Sequence, residues 1–447
     1  MQSSRSRLTL TAAVAVTAVV STACGHSGSS TTQPTGANAP LATNSVSTAG
    51  AADFGTAKAV CGPGKPQPSA ARGVTNTTIK IGVLNDATNT IVPGLGAIYV
   101  NVAKAFSDWC NAAGGINGRK IVIVNHDAQI TQAAARIQDA CVGDFMLVGG
   151  ATPFDITTVI PRVACGLGSI PAYAASPQAN HSALQALVAP ISSTEGNVGL
   201  FKVLDSQYHD AFHKMGLMAI DTPSLLLPAQ SAQKGLKSYG LPLVSFQKIP
   251  VGVANWRTYV QPLVGKVQAL LPPPGDDTQL YQAMKDVGYS PKVMLGGGYL
   301  YSKTTIDGLK AAGIKTPFYV GTGAFPLELA SQNPTLQKAI DLTKATHPSQ
   351  PVDGGIITSF AAWILFAQSA MQCANLTSDC VIQHAKAQTA YTAGDLLAPV
   401  DISNPDHAGA CFAILRGSPS GFTYDQTDTK PTQGIYNCDP SNVVKIS

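Results

Sequence analysis

His209 and His213 are four residues apart, a spacing that would put both imidazoles on one helix face, where they could share a metal ion. The glutamate that a zinc peptidase places between such histidines is missing, and a third ligand is not evident, so no metal is expected. His126-Asp127 follows an apolar run and could make a polar contact in a cleft. Gly296-Gly297-Gly298 lacks the spacing of a dinucleotide-binding loop, and the chain has no G-x-S-x-G nucleophile elbow. Nothing assembles a nucleophile with a base. The chain is therefore expected to bind without catalysing, and to need no cofactor.

Cysteines supply the other chemistry, and the N-terminus tells where they live. Arg5 and Arg7 precede the uncharged run Leu8–Val20, and Ser21, Thr22 and Ala23 then lead to Cys24. This is the layout of an export signal, and the run is too short for a permanent membrane helix. Small residues followed directly by Cys resemble the bacterial lipobox, in which the thiol is lipidated and the Cys becomes the new N-terminus; Ser21 stands where that pattern prefers an aliphatic residue. The resemblance implies a lipid anchor at Cys24 and a cleaved segment 1–23. Residues 25–52 hold no Asp, Glu, Lys or Arg, and a flexible tether is expected over 24–76.

Eight cysteines then remain, an even number in an exported chain, which reads as a disulfide set with on the order of 100 possible connectivities. Cys373–Cys380 is close enough in sequence to staple one helix to the next, and Cys411–Cys438 could tie two C-terminal segments. Cys110–Cys141 and Cys61–Cys165 are the remaining expected pairs.

Composition agrees with a globular binder. The chain has 447 residues, 29 Lys+Arg against 25 Asp+Glu, 45% hydrophobic and only 12% charged residues. That near-balance gives no basic face for nucleic acid, and 42 Gly with 30 Pro exclude a coiled coil. The length suggests two or three domains.

From residue 78 onward, apolar runs alternate with amphipathic stretches. Strands are predicted at Ile79–Leu84, Ile121–Asn125, Phe145–Gly149 and Ile170–Ala174, and again at Met215–Ile220, Leu243–Ile249, Val267–Leu271, Val293–Gly296 and Phe318–Gly321. Most are continuous apolar runs, as strands covered on both faces should be. Between them lie helical patterns. The clearest is the stripe Ile98, Val102, Phe106, Trp109 and Ala113, closed by Gly114-Gly115. Such repetition predicts parallel sheets with right-handed crossovers, hence an α/β fold in two lobes. The uncharged segment Gly354–Ser378 is long enough to span a membrane, but its Ser, Thr, Gln and Asn content and lack of flanking Lys or Arg favour a buried helix.

Thr78-Ile-Lys-Ile-Gly-Val-Leu84, the segment Asn111-Ala-Ala-Gly-Gly-Ile-Asn-Gly-Arg-Lys120, and Ile121-Val-Ile-Val-Asn-His-Asp127 together resemble the type I periplasmic solute-binding proteins of the leucine/isoleucine/valine-binding group, which serve ABC importers. Gly168-Ser-Ile-Pro-Ala-Tyr-Ala-Ala-Ser176, Ala283–Leu295 and Ala374-Asn-Leu-Thr377 extend the similarity over residues 77–445. The resemblance implies two doubly wound lobes joined by a three-strand hinge, with 77–190 and 325–400 in lobe one and 191–324 and 401–447 in lobe two. A ligand would be enclosed between strand ends as the lobes close.

Amino-acid binders of that family hold the ligand carboxylate with hydroxyls and N–H groups at the third and fourth strand ends. Here the paired serines usual at the third strand end are absent, and the matching groups are Thr152, the Ala151 N–H and Ser176. In lobe two the family's carboxylate and tyrosine are missing from Gly296–Gly298 and Asp221–Ser224. Asp221 could substitute for that carboxylate, and Tyr299 beside the triple glycine could line a larger or flatter site. An ammonium buried without a counter-charge would cost several kcal/mol, which weakens the reading as a branched-chain amino acid binder and favours an aliphatic or aromatic acid. The expected whole is a monomeric, lipid-anchored, extracytoplasmic subunit that hands a small solute to ABC permease subunits. A sensor docking to a receptor, a lipid-anchored enzyme on the same scaffold, and a binder that has lost its ligand remain alternatives.

Overall fold

The computed structural model describes residues 52–275 and 277–446; segment 1–23, Cys24 and the uncharged stretch to residue 51 lie outside the described residues. Thirteen strands run in chain order: β1 Thr78–Asn85, β2 Lys120–Asp127, β3 Met146–Val148, β4 Gly168–Ile170, β5 Glu195–Asn197, β6 Met215–Ile220, β7 Ser245–Ile249, β8 Ala269–Leu271, β9 Val293–Gly297, β10 Phe318–Thr322, β11 Ala413–Ser418, β12 Gly421–Tyr424 and β13 Val443–Lys445.

They form two main sheets. The first is all parallel in the order β2-β1-β3-β4; the second has the order β12-β11-β10-β9-β8-β6-β7, with β6 to β10 parallel and β11 and β12 antiparallel at its edge. Each sheet is covered by helices on both faces, which is why its strands read as unbroken apolar runs. On one face of the first sheet, Ile79, Ile81 and Val83 pack with the helix Ala97–Ala112 and the helix Gly354–Met371; on the other, Leu84 and Leu147 meet the helix Ala133–Gly143. Phe360, Trp363 and Phe366 of the Gly354–Met371 helix are fully buried, so its membrane-like length serves a protein core.

The chain passes between the sheets three times. The first passage includes β5, which pairs with β13 near the C-terminus. The second, after β10, pairs Phe325 N–H with Leu396 O and receives Ala398 N–H at Gly323 O. The third leads into β11 and is bound to the first: Ser192 Oγ donates to Asp406 O at 2.7 Å, and Ala408 N–H to Glu195 at 3.0 Å. The helices Pro334–Thr346, Gly354–Met371 and Ser378–Lys386 lie between the second and third passages and return to the first sheet.

Three expectations change. Residues 52–76 are not a tether: Phe54 is fully buried among Phe106, Trp109 and Phe360, and Cys61 is bonded to Cys110. The small, polar composition of 25–52 ends there: Phe54, Val60 and Cys61 are fully buried and supply the apolar surface that docks the segment. The expected pairs Cys110–Cys141 and Cys61–Cys165 are replaced by Cys61–Cys110 and Cys141–Cys165, because the helix carrying Cys110 lies under the N-terminal segment while Cys141 and Cys165 end neighbouring helices on the opposite face. Cys373 bonds to Cys380 and Cys411 to Cys438. The fourth strand ends at Ile170, because Pro171 has no N–H to continue the ladder.

The Ala-Gly-Gly-Ile-Asn-Gly-Arg turn has a clear physical cause. Gly115 has φ +76°, and a Cβ there would lie 2.1 Å from Arg119 O, while Ile116 and Arg119 exchange backbone hydrogen bonds. Only glycine allows the helix to stop and the chain to enter β2 so abruptly.

Candidate ligand-binding cleft

The carboxyl ends of β1, β3 and β4 face the second lobe, where an open α/β sheet binds its ligands. The lobes touch at several points across this cleft. Ile156 N–H points at Ser224 Oγ at 3.4 Å, and Gly354 N–H donates to Tyr301 O at 3.2 Å. Gly252 lies over Ile91, where an added Cβ would sit 3.8 Å from Ile91 Cγ2. These contacts bring the two lobes together across the cleft.

Most donors expected to hold a carboxylate are already engaged. Ala151 N–H, expected to face a ligand, donates instead to Leu84 O at 2.9 Å. Thr152 is buried beside Asp86, its Oγ1 accepting Phe154 N–H at 3.4 Å. Ser176 is fully buried at the N-cap of the short helix Pro177–Asn180, its Oγ accepting Ala179 N–H at 3.2 Å and its own N–H donating to Asp155 Oδ2 at 2.9 Å. In lobe two, Asp221 is exposed at the end of β6 and Thr222, not Asp221, occupies the N-cap of the helix Pro223–Ser238. Tyr299 is about half exposed (47%) on the turn after β9 and donates to Pro272 O at 3.2 Å. Thr152 and Ser176 thus stand at adjoining strand ends of lobe one, while Asp221 and Tyr299 belong to lobe two.

Sequence reasoning missed the groups that dominate the lobe-one face. Asp86, directly after β1, is buried, and Ile130 N–H donates to its Oδ1 at 2.5 Å. Burial raises its carboxyl above the usual range, against the pull of the Ile130 N–H and the neighbouring Thr152. Asp155 is buried too, with Oδ2 accepting the N–H groups of Ala175 and Ser176 at 2.7 and 2.9 Å. Tyr99 and Tyr173 have phenols pushed up by burial first, then by nearby charge: Asp353, Tyr173 and Asp86 around Tyr99, and Asp155 beside Tyr173. Asp353 caps the Gly354–Met371 helix through Gly355 N–H at 2.9 Å, and burial raises its carboxyl as well. Asp353 and Asp86 thus lie near Tyr99, and Asp155 near Tyr173. Asp86 lay within a strand-end loop legible in the sequence; Tyr99 and Asp353 reach this face from helix ends no local pattern marks.

Other expected residues go elsewhere. His126 turns into lobe one and meets Asp144 at 2.6 Å, both buried. His209 lies beside Asp205 on the surface of lobe two, its ring 4.6 Å from that of His213.

The model of a family described as periplasmic binding protein matches residues 78–420. Among solved structures, a fatty acid ABC transporter substrate-binding protein from Thermomonospora curvata superposes with TM-score 0.64 at 16% identity, covering 83% of this chain and 95% of that one. The branched-chain amino acid transporter substrate binding protein LivJ from Streptococcus pneumoniae, in complex with isoleucine, gives 0.61 at 16% identity over 78% of this chain and all of that one. A leucine binding protein LivK from Thermotoga maritima gives 0.63 at 11% identity, covering 78% and 98%. No curated protein matches by sequence. With two helix-covered parallel sheets, three passages between them and a family match spanning most of its length, this chain belongs to the periplasmic binding proteins.

Proposed function

We propose that this chain is the extracytoplasmic solute-binding subunit of an ABC importer, anchored to the membrane by lipid on Cys24 and working as a monomer. The observation that carries the reading is the cleft itself: strand ends of both lobes meet around buried polar groups, with contacts across it at Ile156–Ser224 and Tyr301–Gly354. Such a cleft opens by rotation at the three passages and closes on a small organic solute. The closed form, with both lobes in a fixed relation, is what a permease would distinguish from the open one. A residue-by-residue catalytic assembly is not needed for this role. The neighbours bound to isoleucine or named for fatty acids support a small organic ligand without choosing one.

A thermal-shift screen of the oxidised chain carrying Cys24→Ser tests the binding claim. A solute at 100 times its dissociation constant should add about 2.7 kcal/mol. A panel of amino acids, aliphatic and aromatic acids, amides and amines that leaves the midpoint unmoved would count against it. For the anchor, the unsubstituted chain should partition with membranes and the Cys24→Ser chain should not.

A further inference from the structure

Beside the ends of β3 and β4 lies a cavity of about 30 Å³ whose lining includes Thr152, Asp155, Tyr173 and Arg162. That is room for one or two waters or for one ammonium group. Asp155 is 5% exposed, and its Oδ1 has no hydrogen-bond partner among the described residues. A buried carboxylate oxygen left so is costly, and it is a strong acceptor awaiting a donor.

We infer that the lobe-one half of the cleft binds the cationic end of an organic ammonium ligand, with Asp155 Oδ1 as its acceptor and Thr152 and Tyr173 in the same cavity wall. The inference rests on the solute-binding reading above and specifies the ligand class. Three observations carry it. The N–H groups that would receive a carboxylate are spent: Ala151 on Leu84 O, and Ala175 and Ser176 on Asp155 itself. Thr152 stands beside the buried Asp86 carboxylate, so an incoming carboxylate would meet a carboxylate there. Arg162, the basic residue in the cavity wall, spends its terminal nitrogens elsewhere, Nη1 on the carbonyls of Leu167 and Leu184 and Nη2 on Ser182 Oγ, which leaves its buried Nε–H as the one guanidinium donor without a partner among the described residues. The phenol of Tyr173, in the cavity wall, adds an oxygen acceptor and a ring face, both suited to a cation. The missing acid of lobe two, read from sequence as a loss of the ammonium partner, is thus replaced from lobe one.

The test compares 3-methylbutylamine, its acid counterpart 4-methylpentanoate, and leucine by calorimetric titration of the oxidised chain. The amine is expected to bind and the acid not to. Asp155→Asn keeps an oxygen for the Ala175 and Ser176 N–H groups but removes the charge, and should weaken the amine by roughly 30-fold or more. Asp86→Asn should weaken it to a smaller degree, and a ligand-free melt of each variant shows whether it is folded. Binding of the acid without the amine overturns the polarity and leaves the solute-binding reading standing. Amine affinity unchanged in both folded variants overturns the site. A chain that binds none of the three, in a screen where other solutes do shift it, also overturns the inference; silence towards every solute overturns both readings.

Discussion

Replacing Phe54 with alanine asks whether the segment before β1 is part of the fold. Phe54 is fully buried, with ring centroids 4.8 Å from Trp109, 5.3 Å from Phe360 and 5.9 Å from Phe106. Lys338 Nζ sits over the same aromatic group, 4.4 Å from the Trp109 centroid and 5.0 Å from that of Phe54, and donates to Asp53 O. A buried Phe→Ala change costs about 3–5 kcal/mol, because the lost transfer energy is joined by that of the cavity left behind. If the roughly 390 described residues unfold together, with about 2.1 cal/mol/K per residue at the midpoint, about 4 kcal/mol lowers the melting temperature by about 5 °C. The Cys61–Cys110 bond, which spans 49 residues, constrains the unfolded chain by about 4 kcal/mol in the entropic account. The double change Cys61→Ser with Cys110→Ser should therefore match Phe54→Ala in size. Urea unfolding followed by circular dichroism measures both. A cost below about 0.5 kcal/mol for Phe54→Ala, the ordinary value for a surface position, would refute the docking argument and restore the tether.

Gly149→Ala should abolish folding or lower its yield sharply, since Gly149 has φ +69° and a Cβ there would fall 2.3 Å from Trp363 Nε1; expression of soluble protein reads this out. Proteolysis of the oxidised chain without reductant should release linked peptides holding Cys61 with Cys110 and Cys141 with Cys165; recovery of Cys110 with Cys141 would contradict the structure. Burial raises the phenols of Tyr289, Tyr301 and Tyr391 above the ordinary value of 10.0. The unfolded chain then releases protons above pH 10 that the folded chain keeps, so stability present below pH 10 is lost as the pH rises beyond it. Part of the tyrosinate absorbance should appear only as ellipticity is lost, and full titration with the fold intact would disprove the burial.

Periodicity made much of the architecture legible. Met215–Ile220 was delimited by its apolar residues alone, and the helix Ala97–Ala112 by the stripe from Ile98 to its closing glycines. The strands that escaped notice, β5 and β11 to β13, are an antiparallel edge and a two-stranded pairing near the passages, with no alternating helix to announce them. At the cleft, the loops after each strand were found but the direction of their groups was not. A hydroxyl such as Ser176 reads the same in sequence whether it caps a helix or meets a ligand, and an N–H such as that of Ala151 carries no sign of the carbonyl it will find.

By itself, then, the sequence determined what depends on near neighbours: the strand and helix periods, the glycine turn at Gly114-Gly115, the even number of cysteines after Cys24, and the family resemblance they carry. Tertiary structure decided what depends on residues far apart. Cys61 finds Cys110 and not Cys165 because Phe54 docks beside Trp109, and Asp353 joins Asp86 and Tyr99 only because the Gly354–Met371 helix returns to the first sheet after a whole second lobe. Local periodicity follows from backbone geometry repeated over a few residues; partnership across the fold follows from which apolar faces bury one another, and polar groups are then matched by the positions that burial leaves them.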